Sequence, residues 1–109
     1  MKRKPKKTVE FQGKTLVVNK LEYPNKRIAI ELAYKNGREH TVATVNLPDE
    51  QIEDDEVILK NYSEGQGAME ALIESGVIGK PLRYAQDNQM FPICKLNFTF
   101  PEYIKPFVN

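Results

Sequence analysis

The 109-residue chain holds one cysteine, one histidine and no tryptophan, and each scarcity narrows what it does. A lone Cys94 forbids an intrachain disulfide and a thiolate cage for a metal, which suits a reducing compartment. No apolar run approaches the roughly 20 residues that span a bilayer. The basic N-terminus is not followed by the apolar stretch of a secretory leader. Membrane insertion and classical secretion are not indicated, and a cytoplasmic location is expected. Catalytic constellations are also sparse. His40 falls on the polar side of a hairpin, where a solvated imidazole is the expectation. Cys94 lies in an apolar strand, where an inert thiol is expected unless a base or cation lowers its pKa. Neither an enzyme nor a cofactor is indicated.

What is present is charge, unevenly placed. Lys2, Arg3, Lys4, Lys6 and Lys7 supply five of the 16 basic residues, and no acidic residue precedes Glu10. Positions 8 to 109 therefore hold 11 basic against 15 acidic residues, a net −4. This predicts a disordered basic arm over 1–7 and one acidic domain over 8–96. An aromatic and proline-containing segment follows over 97–109.

The stretch from Arg27 to Leu47 organises the domain. Two alternating runs flank Asn36-Gly37, the pair preferred in the type I′ turn of a two-residue hairpin. Facing residues then sum to 73, so Ile28 faces Val45, Ile30 faces Ala43 and Leu32 faces Thr41. That side is apolar, and the side carrying Ala29, Glu31, Ala33, His40 and Thr44 is mostly polar. Upstream, Thr8 to Gln12 and Lys14 to Tyr23 read as two strands. With Pro24-Asn25 as the loop, Leu21 faces Ile28 and Val17 faces Leu32. Leu16 and Val18 then point the other way, so the strand is either covered on both faces or bulged.

Downstream, Asp49, Glu50, Glu53, Asp54, Asp55 and Glu56 form an acidic stretch, read as a solvated loop because the spacing and glycine of a calcium loop are missing. No metal site is expected. A short strand spans Val57 to Leu59. A helix over about 64–75 starts at a Ser63 and Gln66 capping box and ends at Gly76, with Val77 folding back in a Schellman motif. Ala68, Met69, Leu72 and Ile73 share its apolar stripe. Leu82 to Ala85 and Met90 to Leu96 close the sheet around Asp87-Asn88, and Pro92 places the second of them at an edge or bulge. The fold class is α+β, with a mainly antiparallel sheet of six or seven strands and one helix on one face. Phe98, Phe100, Tyr103 and Phe107 either cover an open face of the domain or dock on another chain, making a monomer or a weak homodimer.

The run Ala43-Thr44-Val45-Asn46-Leu47-Pro48, then Ile58 to Ser63, then Glu70-Ala71-Leu72-Ile73 with Gly76-Val77-Ile78 resembles a small domain-of-unknown-function family of bacterial proteins. That family occurs in genomes and on phages, plasmids and conjugative elements. The resemblance covers about Thr8 to Leu96. Where related chains tend to carry Glu-Asn-Glu-Gly, this one has Glu64, Gly65, Gln66 and Gly67, keeping the first and last. The resemblance implies a cytoplasmic accessory protein acting on host machinery, and it transfers no activity, cofactor or catalytic residue. The residues support two functional expectations. One is a non-catalytic protein-binding module using the Asp49 to Glu56 stretch and the C-terminal aromatics. The other is a nucleic-acid-binding protein using Lys2, Arg3, Lys4, Lys6 and Lys7.

Overall fold

In the computed structural model the described residues are 7–60, 67–86, 91–98 and 105–106. The chain begins as a meander: β1 (Thr8–Phe11), β2 (Lys14–Glu22), β3 (Ile28–Ala33) and β4 (Glu39–Val42) pair in that order, each antiparallel to the next. Then follow β5 (Glu56–Ile58), α1 (Ala68–Glu74), β6 (Arg83–Tyr84), β7 (Pro92–Lys95) and β8 (Lys105–Pro106). β5, β7 and β6 form a second antiparallel sheet in that order. β8 runs parallel to Leu21 and Glu22 of β2. The α+β class holds, but the single sheet of six or seven strands is replaced by two. Strands β4 and β5 do not pair along their length. The sheets join at one antiparallel bridge, Thr44 to Leu59, flanked by Val45 N–H to Ile58 O at 2.9 Å and Lys60 N–H to Ala43 O at 2.8 Å.

The turns decide the registers. The type I′ turn lies at Gln12-Gly13, whose φ values of 55° and 74° are both positive. In the central hairpin only Gly37 is left-handed (φ 94°). Gly37 N–H donates to Tyr34 O, and Tyr34 N–H to Arg38 O, each at 2.8 Å. This is a type I turn over Lys35-Asn36 followed by a left-handed residue, the three-residue hairpin loop. It shifts the register, pairing Ala33 with Glu39, and His40 is the extra residue that restores Leu32 to Thr41 and Glu31 to Val42. The expected pairing therefore survives beyond the bulge and fails beside the turn. The β2–β3 hairpin uses the same device. Tyr23 N–H donates to Arg27 O and Lys26 N–H to Tyr23 O, with Lys26 at φ 74°. In both loops the asparagine side chain accepts from the arginine amide, Asn25 from Arg27 at 3.2 Å and Asn36 from Arg38 at 2.9 Å. Tyr23-Pro24-Asn25-Lys26-Arg27 and Tyr34-Lys35-Asn36-Gly37-Arg38 are thus two copies of one Tyr-x-Asn-x-Arg turn.

The longer loop moves β2 by one residue. Val18, not Val17, pairs with Leu32, and Leu21 pairs with Ala29 rather than Ile28. No bulge is needed, and β2 is covered on both faces: Leu16 and Val18 join the main core while Val17 and Leu21 are buried behind them. The face expected to be polar is covered too, since Ala29, Glu31, Ala33 and Thr44 are all buried.

Lys26 occupies the position that glycine takes in the second loop. A non-glycine residue there carries roughly 1–2 kcal/mol of left-handed strain, and its side chain is exposed. Lys26→Gly is expected to stabilise the protein by about 0.5–1 kcal/mol, the strain relief outweighing the freedom that glycine adds to the unfolded chain. Gly37→Ala should cost about 1 kcal/mol by the same argument. Urea denaturation measures both.

The core lies between the two sheets and α1. It gathers Val9, Phe11, Leu16, Val18, Ile30, Leu32, Ala43, Val57, Leu59, Ala68, Met69, Leu72, Val77, Ile78 and Cys94. Helix α1 is shorter than expected and lies against β1. Its N-cap is Gly67 (φ 89°), without a side-chain cap, and the Ser63 and Gln66 capping box lies outside the described residues. The C-terminus is the expected Schellman motif: Val77 N–H donates to Leu72 O at 3.0 Å and Gly76 N–H to Ile73 O at 3.1 Å. Strand β7 is central rather than at an edge. Pro92 is tolerated because it opens the strand, and its carbonyl still accepts from Leu59 N–H at 2.8 Å. Asp87-Asn88 lies outside the described residues.

Candidate functional site

The acidic stretch is solvated at Asp49, Glu53, Asp54 and Asp55, as expected, and its backbone forms two tight turns. In the first, Glu50 N–H donates to Leu47 O at 3.0 Å, with Pro48 and Asp49 central; in the second, Glu56 N–H donates to Glu53 O at 3.1 Å across Asp54-Asp55. Two arginines hold this backbone. Arg27 donates from Nη1 to Leu47 O at 2.7 Å and from Nη2 to Glu50 O at 2.6 Å and Pro48 O at 3.4 Å. Arg83 donates from Nη2 to Gln51 O at 2.9 Å and makes a bidentate pair with Glu56, at 3.1 and 2.9 Å.

The β2–β3 loop docks on the same segment through alternate residues. The Tyr23 hydroxyl lies 3.1 Å from Thr44 Oγ1, and Asn25 Nδ2 donates to Asn46 Oδ1 at 3.1 Å. Thr44 Oγ1 also accepts from Ile30 N–H at 3.1 Å, which ties the knot to the crossing between sheets. Burial pushes the Tyr23 pKa up, partly countered by its hydrogen bond with Thr44.

The six carboxylates therefore differ. Glu56 is 7% exposed, starts β5 and accepts from Glu53 N–H at 2.9 Å. The Arg83 hydrogen bonds hold its pKa below the ordinary 4.5 against the opposing effect of burial. It is a structural residue, not a solvated one. Asp55 lies 3.6 Å from Lys95, and Glu50 accepts from Gln86 N–H at 3.0 Å. Asp49, Glu53 and Asp54 are exposed. Beside the first turn is an open cavity of about 260 Å³ between Leu47 to Gln51 and Ala85, Gln86 and Phe91.

The other expected residues are placed elsewhere. Phe98 packs against the main core, with Lys7 Nζ 5.5 Å above its ring. Lys7 O also accepts from Val18 N–H, so Lys7 belongs to the folded body rather than to a free arm. Lys2, Arg3, Lys4, Lys6, Phe100, Tyr103 and Phe107 lie outside the described residues.

His40 is half-buried rather than fully solvated. The bulge turns it onto Phe11 and Tyr34, with ring centroids 5.9 and 5.3 Å away, and its Nδ1 is buried without a hydrogen-bond partner among the described residues. Cys94 is fully buried, and burial pushes its thiol up to about 11, the opposite of an activated nucleophile. Among the described residues no three His, Cys, Asp or Glu side chains are grouped to hold a metal ion, and no helix is long and apolar enough to cross a membrane.

Comparison with protein-family models, curated proteins and solved structures finds no match to this chain. Sequence reading missed Arg27 and Arg83 as holders of the acidic turns. The repeated Tyr-x-Asn-x-Arg spacing was the signal available for Arg27.

Proposed function

We propose that this chain is a non-catalytic protein-binding module that presents the 47–56 turns to a basic protein surface. One observation carries the reading: arginines hold the backbone of these turns in place, while Asp49, Glu53 and Asp54 stay exposed. A loop held in place loses less entropy on docking, and fixed like charges steer an oppositely charged partner. The resemblance over Thr8 to Leu96 suggests the setting, an accessory protein of a mobile genetic element acting on host machinery. Nucleic-acid binding through Lys2 to Lys7 is the weaker reading, because the net charge of positions 8 to 109 is −4 and repels phosphate.

The test is capture from host extract with full-length protein and a variant neutralised at all five non-core carboxylates (D49N, E50Q, E53Q, D54N, D55N). Proteins held by the wild type and released by the variant, and by about 0.5 M salt, support the reading. Identical capture by both proteins overturns it.

A further inference from the structure

We infer that the Tyr34 to Arg38 loop docks on a partner protein as the Tyr23 to Arg27 loop docks within this chain, taking an extended segment that ends in a tight turn. The two loops have one backbone conformation. In each, the tyrosine N–H donates to the arginine carbonyl at 2.8 Å, a type I turn ends in a left-handed residue (Lys26, φ 74°; Gly37, φ 94°), and the asparagine Oδ1 accepts from the arginine amide. Such loops launch their tyrosine, asparagine and arginine side chains from matching positions. The loops close opposite ends of β3, so the second is separate from the turns that Arg27 holds.

The first loop shows what the three side chains recognise. Tyr23 pairs with the Thr44 hydroxyl and Asn25 with Asn46 Oδ1, alternate residues of an extended segment, and Arg27 caps the following turn through the Leu47, Pro48 and Glu50 carbonyls. The second loop holds no such segment. The Tyr34 hydroxyl, Asn36 Nδ2 and the Arg38 guanidinium hydrogen-bond to no described residue, and Asn36 and Arg38 are exposed. Arg38 is instead stacked on Tyr34, its Cζ 4.9 Å from the ring centroid, and Tyr34 packs in turn on the main core and His40. A side chain restrained in this way loses less freedom when its N–H groups meet carbonyls. A simple anion would use the Arg38 charge alone, whereas a strand followed by a turn engages all three groups.

Amide chemical shifts of the full-length protein test this with a peptide copied from the segment that the first loop holds, acetyl-Ala-Thr-Val-Asn-Leu-Pro-Asn-Gln-amide. Asn and Gln replace its two acids, so charge alone cannot draw it to Arg38, and Pro-Asn still favours the type I turn. Saturable shifts are expected at Tyr34, Asn36, Gly37 and Arg38, and none at Asn25 to Arg27, whose site is filled. R38K keeps the charge but loses the planar fork, and is expected to weaken binding about fivefold or more. Y34F keeps the ring and loses the hydroxyl, and is expected to weaken it about twofold to threefold. A second peptide with Val and Leu in place of Thr and the first Asn is expected to bind about fivefold more weakly.

Equal binding of the two peptides, R38K binding as tightly as the wild type, shifts centred away from residues 34–38, or no shift up to about 10 mM peptide overturns the inference. Acetate is the remaining control. If it reproduces the shifts at the same concentration, Arg38 is an anion contact only and the inference falls. Wild-type-like amide spectra of R38K and Y34F establish that the fold is kept. Capture through the acidic turns involves other residues and is unaffected by either outcome.

Discussion

Leu32→Ala is expected to lower the unfolding free energy by about 2–5 kcal/mol, the range for a large aliphatic side chain removed from a packed core. Leu32 is fully buried, at the centre of β3, with Val18 paired on one side and Thr41 on the other. Its side chain belongs to the cluster that includes Phe11, Met69 and Leu72. Flanking strands fix the backbone on both sides, so the cavity cannot close by a local shift and the cost falls in the upper part of the range. Leu82→Ala is the control: Leu82 is 57% exposed, and its loss should change stability by less than about 0.5 kcal/mol. Denaturant melts with unchanged m-values measure both. A Leu32→Ala effect as small as that of Leu82 would remove this residue from the core.

Arg83→Ala is expected to cost about 1–3 kcal/mol at neutral pH, the range for leaving a buried acceptor without its charged donor. The lower half of that range applies, because the guanidinium is 42% exposed and water screens it, although Glu56 is only 7% exposed. The pH dependence has a definite sign. Glu56 has a folded pKa below its unfolded value, first because Arg83 donates to it. Its contribution is therefore fully present above the unfolded value and is lost as pH falls through the lower folded value. Without Arg83, burial raises the same carboxyl and is opposed only by the Glu53 N–H hydrogen bond and the charge of Lys95. The gap between wild type and variant should be largest at neutral pH and shrink as pH drops below about 4. Melts at neutral and acidic pH, with an R83A/E56A double-mutant cycle, read the coupling directly. A gap that widens in acid would reverse the assignment.

The features legible in the sequence are those set by near neighbours. Alternation around Leu32 and Thr41 located the central hairpin, and Gly76-Val77 located the helix end, because a left-handed glycine followed by an apolar residue has few other uses. Asn36-Gly37 misled on turn type: the same dipeptide fits both a I′ turn and the end of a three-residue loop, and neither alternation nor composition separates them. The one-residue difference then moved His40 from the polar side onto Phe11 and Tyr34. The division into two sheets was not legible, since periodicity reports which residues face a core but not which strand lies beside which. For the same reason the order of the acidic stretch and the burial of Glu56 were not legible, as they come from Arg27 and Arg83, 20 and 27 positions from the atoms they hold.

The single bridge between Thr44 and Leu59 has a consequence for the entropy of closing the chain. The meander closes through short connections, and the five residues of 23–27 are typical of it. Joining β5 to β7 instead encloses the 33 residues from Leu59 to Phe91. At about 0.6 kcal/mol for each doubling of length, that closure costs about 1.6 kcal/mol more than one of the hairpins. The Thr44 to Leu59 contact anchors the beginning of this long excursion to the β1–β4 meander, whose own pairings are all local. Contact order is accordingly low within the meander, and the distant pairings are those of β5 with β7 and of β8 with β2.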